Sequence, residues 1–165
     1  MLGAIAGDVI GSAYEANAVK TTDFDLFPPG ARFTDNTVLT VATAETLLGN
    51  GDYAVAYRRF GRAFPHAGYG GSFYRWLYRD GAGLYGSWGN GAAMRVSPVG
   101  FALDSVDAVL AEAARSAAVT HDHPEGIKRA PRPRRSRCFS PAPMQTRKSS
   151  KPRSKAGSAM TSCVV

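Results

Sequence analysis

Every acidic residue of this 165-residue chain lies before position 129. The 37 residues that follow, "RAPRPRRSRCFSPAPMQTRKSSKPRSKAGSAMTSCVV", carry ten Lys and Arg, five Pro, one aromatic residue and no Asp or Glu. Such a segment has too little apolar surface to offset its ordering entropy and is expected to be disordered. The core must therefore come from residues 1–128, which hold 10 Lys/Arg against 13 Asp/Glu, a net charge of −3. The chain's overall charge of +7 belongs to the tail and describes neither part. With 44% hydrophobic residues, the chain is long enough for one domain.

Two origins of the tail compete. A basic arm of this charge could bind nucleic acid through phosphates, a reading that rests on the tail alone. The second is a reading-frame shift just after Lys128. Joining the third base of each codon from Arg129 to the first two of the next can spell Gly-Ala-Gln-Ala-Thr-Ala, then Ala-Val-Leu-Leu-Ala-Arg after one free position. That is an apolar helix of the kind expected after "EGIK", so the frameshift is the preferred expectation. Sequencing the DNA across codons 128–130 decides it.

Both cysteines, Cys138 and Cys163, lie in the tail, which is compatible with a reducing cytoplasm. The N-terminal "MLGAIAGDVIGSAYE" has no basic n-region, and Asp8 breaks its apolar run too early for a signal peptide. No stretch approaches a membrane span. A cytoplasmic protein is expected.

Residues 1–128 read as helical throughout. Gly3, Gly7 and Gly11 share one face of a helix over 2–16, and such a stripe predicts close approach of another backbone in a soluble core. A loop over 20–33 leads to a helix over 36–49, closed by "GNG". Asp52 can cap a helix over 53–63, and 73–79 reads as a short aromatic helix. Glycine makes 65–72 and 81–91 loops. "AAMRVSPVGFAL" is a helical piece broken near Pro98, and Asp104 opens "SVDAVLAEAARSAAVTH". No alternating strand pattern and no solenoid repeat occurs, so the fold class is all-α.

Four clusters could carry chemistry. Thr34-Asp35-Asn36 stands directly before an apolar helix. All three are favoured N-caps, and capping alone accounts for the pattern. Three consecutive oxygen donors can also converge on a hard cation such as Mg²⁺. Glu15 is a surface acid unless its helix end meets Asp35. "GSWGNGAAMR", Gly86 to Arg95, offers backbone N–H groups and a following helix N-terminus to a phosphate, with Ser87 and Asn90 as side-chain partners and Trp88 as a stacking face. An ordinary surface turn has the same composition, and no Walker or dinucleotide fingerprint is present. In "THDHPEG", His121 and His123 lack partners for a zinc site, because His66 is the only other histidine.

The order of four stretches, "GAIAGDVIGSAYE", "FTDNTVLTVATAE", "SWGNGAAMRVSPVG" and "THDHPEGIK", resembles the N-terminal part of the ADP-ribosylglycohydrolase family, of the dinitrogenase-reductase-activating type. The resemblance implies an all-α bundle with two Mg²⁺ ions (or Mn²⁺) in a cleft. It implies hydrolysis of the bond joining ADP-ribose to a modified protein or related conjugate. By position, Thr34, Asp35 and Asn36 fall on metal ligands, and Glu15 and Asp35 on the acids of the chemistry. Gly86, Ser87, Trp88, Gly89, Asn90 and His121 fall on residues that hold the ADP-ribose.

Two departures matter. Asn36 stands where the family has Asp, which removes one negative charge from the cation site. Nothing after Lys128 resembles the family's C-terminal Asp-x-Asp-Thr motif. The chain is thus expected to be truncated after about the first half of the domain, with an incomplete metal site, weak or absent hydrolysis, and exposed apolar faces prone to self-association. The alternatives are a non-catalytic ADP-ribose-binding module and, last, a nucleic-acid-binding protein.

Overall fold

The structure is a computed structural model that describes residues 1–123. The tail and the expected boundary at 129 lie outside the described residues. Among the described residues seven helices run in order: α1 (Leu2–Ser12), α2 (Asp35–Gly49), α3 (Tyr53–Ala63), α4 (Gly71–Tyr78), α5 (Gly91–Met94), α6 (Val99–Ala102) and α7 (Val106–Ala117). Among the described residues there is no strand, and no helix is long and apolar enough to cross a membrane. The all-α expectation holds.

Local chemistry sets the helix boundaries. Thr34 is the N-cap of α2, its Oγ1 accepting the Asn36 backbone N–H at 3.3 Å. Asn50 closes the same helix in the left-handed region at φ 49°, a conformation Asn tolerates. Asp52 caps α3 by accepting the Val55 N–H at 3.0 Å, and α3 spans the 53–63 read from sequence. α7 is capped by Ser105, which accepts the Ala108 N–H, and not opened by Asp104. The Pro98 break separates α5 from α6, with Pro98 itself at the α6 N-cap.

The core forms where α2, α3 and α4 meet. Leu39, Ala42, Tyr53, Ala56, Tyr57, Phe73, Trp76 and Leu77 make one buried cluster. Tyr57 is fully buried, and its hydroxyl lies 2.9 Å from Thr43 Oγ1 and 2.8 Å from Ser116 Oγ, so one polar chain joins α2, α3 and α7. Gly61 is the close-approach point between α3 and α4. A Cβ there would sit 2.5 Å from Leu77 Cδ2, and Leu77 is itself fully buried. Gly61→Ala should therefore destabilise by ~1–2 kcal/mol despite alanine's better helix propensity, read as a lower urea midpoint at constant slope.

The α1 stripe corrects the sequence reading. A Cβ at Gly3, Gly7 or Gly11 would meet nothing within 4 Å, and α1 buries no residue completely. Its hold on α2 comes instead from one carboxylate, described below. Leu2 (84% exposed), Leu48 (89%) and Phe101 (73%) are exposed apolar side chains.

α3 and α7 are also joined through Tyr53, whose ring lies 5.0 Å from the Arg115 guanidinium. Tyr53 OH donates to Glu112 Oε1 at 2.5 Å, and Arg115 pairs with the same carboxyl at 2.6 Å. Burial pushes Glu112 up, but the Arg115 and Tyr53 hydrogen bonds outweigh it and hold the carboxyl below its ordinary value of 4.5. The stability this adds is present above that value and lost as pH falls through the lowered one. Glu112→Gln should flatten the acid limb below about pH 4.5 by less than ~1 kcal/mol in pH-dependent urea unfolding.

Candidate active site

The acidic side of the site is built on Asp8. Thr34 and Thr37 each give its carboxylate a backbone and a hydroxyl hydrogen bond: Thr34 N–H at 2.7 Å, Thr34 Oγ1–H, Thr37 N–H at 3.1 Å and Thr37 Oγ1–H at 2.5 Å. Burial raises the Asp8 carboxyl, yet these donors outweigh it and hold the carboxyl low. An acid placed at the opening of a helix also suits the dipole. Sequence reading saw Asp8 only as an interruption of an apolar run; its signal was an acid on an otherwise apolar helix.

Asp35 follows the cap, its backbone N–H donating to Ala67 O at 2.7 Å. Burial first, then the charges of Asp8 and Glu15, push its carboxyl up to about 6. Glu15 is exposed and lies three residues beyond the end of α1, but its charge reaches Asp35. Thr34 Oγ1 donates to Asp8 and accepts from both the Asn36 N–H and, at 3.1 Å, Asn36 Nδ2. Its hydrogen-bonding capacity is thus filled by capping. Among the described residues none of Asp8, Glu15 and Asp35 forms an ion pair with a base; the pairs there are Arg59–Glu45, Arg62–Asp80 and Arg115–Glu112.

The other side is the loop from Gly86 to Gly91. Gly86 has φ +64°, and a Cβ there would lie 3.2 Å from Asp122 Oδ1. Ser87 N–H donates to Thr120 O at 3.1 Å, and Gly89 N–H donates to Ser87 Oγ at 3.3 Å. The His121 ring contacts Gly89 O through Nε2 at 3.1 Å. Trp88 is 70% exposed and stands 4.4 Å from the His123 ring. The helix after this loop, α5, has only four residues. Its dipole is correspondingly short.

One cavity of about 480 Å³ joins the two sides. Asp35 lines it together with Gly86, Ser87, Trp88, Gly89, Asn90 and His121, seven of the ten residues singled out from sequence. Thr34 and Asn36 flank Asp35 without lining the cavity, and Glu15 stands outside it. Its volume suits a ligand of nucleotide size. The structure adds Arg95 to its lining, a side chain with no exposure whose guanidinium lies 4.2 Å over the Tyr57 ring. Arginine in "AAMR" looks like a surface cation of an amphipathic helix, and nothing in the local sequence marks it as buried.

Fold and site together define an all-α protein with a cavity lined by the glycine loop and by one carboxylate, that of Asp35. The ADP-ribosylglycohydrolase family model matches residues 1–130, and the chain belongs to this family. It is 30% identical to ADP-ribosylhydrolase ARH3 of Mus musculus over 73% of its length and 28% identical to ADP-ribosylhydrolase ARH3 of Xenopus tropicalis over the same share. These matches span 42% and 43% of the two relatives, so the chain covers less than half the length of the curated proteins it matches.

Proposed function

We propose that this chain is part of a metal-dependent ADP-ribosylglycohydrolase, whose cavity takes the ADP-ribosyl group of modified proteins or related conjugates. The observation that carries the reading is the single cavity with Asp35 on one wall and the Gly86–Asn90 loop on the other. Loop N–H groups other than those of Ser87 and Gly89, which already bond within the protein, suit the diphosphate, Trp88 offers a face for a ring, and holding the diphosphate there sets the ribose toward Asp35.

The acidic side fits a divalent cation in charge. The charges of Asp8 and Glu15 push the Asp35 carboxyl up, and none of the three pairs with a base among the described residues, an arrangement that a bound cation would relieve. Asp35 and Asn36 would supply oxygen to Mg²⁺ or Mn²⁺, and Thr34 would do so on giving up its cap bonds. When bound, such an ion supplies charge stabilisation while a ribosyl bond breaks. Asp35 and Glu15 are the carboxylates we assign to the chemistry. A cytoplasmic setting accords with a cysteine-free 1–128.

A second reading is an ADP-ribose-binding module without catalysis. It is favoured by the fact that no three of His, Cys, Asp and Glu among the described residues gather closely enough to hold a metal. Calorimetry with ADP-ribose, with and without Mg²⁺, separates the two. The hydrolase reading expects Mg²⁺ to tighten binding by about tenfold, an increment that Asp35→Asn removes. Binding indifferent to Mg²⁺ supports the module, and no binding in either condition overturns both. Through Leu2, Leu48 and Phe101, association that grows with concentration is expected in sedimentation velocity.

A further inference from the structure

The cavity's histidine has no ring nitrogen to spare. His121 is 1% exposed, with Nδ1 2.8 Å from Thr120 Oγ1 and Nε2 3.1 Å from Gly89 O. A carbonyl oxygen only accepts, so the Nε2 proton is the one that makes the second contact. In the neutral ring Nδ1 then accepts, and Thr120 donates. Thr120 Oγ1 is free to turn its proton that way because its own lone pair is taken by Arg95 Nη2, a donor at 2.9 Å. Arg95 is fixed in turn by a 2.9 Å bond to Ser116 O and by the Tyr57 ring face. Donation therefore runs in one direction, from Arg95 through Thr120 and His121 to Gly89.

We propose that Thr120 is a positioning residue of the cavity: its hydroxyl holds His121 as the neutral Nε2–H tautomer, which clasps the glycine loop through the Gly89 carbonyl. His121 then shapes the cavity it lines through the loop it holds. A second bond from the same residue points the same way, since Ser87 N–H donates to the Thr120 carbonyl at 3.1 Å. The neighbouring positions fit closely around the clasp. A Cβ at Gly91 would lie 3.6 Å from His121 Cε1, and one at Gly86 would lie 3.2 Å from Asp122 Oδ1. Residues 120–122 are thus the template on which the loop is laid. Burial and the Arg95 charge lower the His121 pKa against the pull of Gly89, in keeping with a neutral ring.

The binding arm of the test rests on the proposed ADP-ribose reading; the spectroscopic arm does not. The full chain, with histidine ring nitrogens labelled, has three residues to assign: His66, His121 and His123. Ring ¹⁵N shifts at neutral pH without ligand should show His121 as Nε2–H in the parent and in Thr120→Ser. Thr120→Val should give mixed tautomers and weaken ADP-ribose about tenfold in calorimetry, the size of one lost buried hydrogen bond, while Thr120→Ser recovers most of the loss. A parent His121 protonated on Nδ1, or a Thr120→Val protein with unchanged tautomer and affinity, overturns the proposal. Should Thr120→Val fail to fold, the parent and Thr120→Ser spectra decide it by the same criterion. A parent that shows Nε2–H yet binds no ADP-ribose supports the clasp and overturns both ADP-ribose readings.

Discussion

Asp8→Ala should lower the unfolding free energy of the chain by ~3 kcal/mol, seen as a shifted urea midpoint. Four donors converge on that carboxylate, two from Thr34 and two from Thr37. Charge-assisted bonds are worth ~1.5–3 kcal/mol each in isolation, but these share one half-buried acceptor, and their sum is discounted accordingly. Because α1 fully buries no residue, apolar packing does little to replace the lost bonds, and α1 should lose amide protection before the other helices. Asp8→Asn keeps one acceptor oxygen but turns an amide NH₂ toward donors, so it should recover only part of the loss. Stability and α1 protection that both match the parent in Asp8→Ala would show that α1 is held by something other than this carboxylate.

The second large effect is expected at Gly86. Its φ of +64° is strained for a β-branched side chain, and an added Cβ would crowd Asp122 Oδ1 at 3.2 Å. Gly86→Val should cost ~2–3 kcal/mol, taken up by displacement of the loop because the cavity side is open and the 120–122 side is packed. ADP-ribose affinity should fall by about a hundredfold, the binding equivalent of that strain, while the core is left largely intact. Gly83→Val, a loop glycine with no neighbour within 4 Å of its Cβ position and no positive φ, is the control and should bind as the parent does. Equal affinities for parent and Gly86→Val would remove the loop from the binding site.

What could be read from the sequence alone was whatever depends on near neighbours in the chain. Apolar spacing and an Asp52 cap placed α3, glycine content marked the 86–91 loop, and "TDN" announced a helix start that proved to be the Thr34 cap. Family order then pointed to a cavity that collects Asp35, the glycine loop and His121. Tertiary structure alone revealed which groups meet across many residues. Asp8 bonds Thr34 across 26 positions, Arg95 bonds Thr120 across 25, and His121 reaches back 32 to Gly89. The glycine stripe of α1 misled for the same reason: its spacing says that a backbone can approach closely, and only the arrangement of other helices says whether one does. Hydrogen bonds select partners by position in space, and position in space is set by the packing of α2, α3, α4 and α7, which no local pattern encodes.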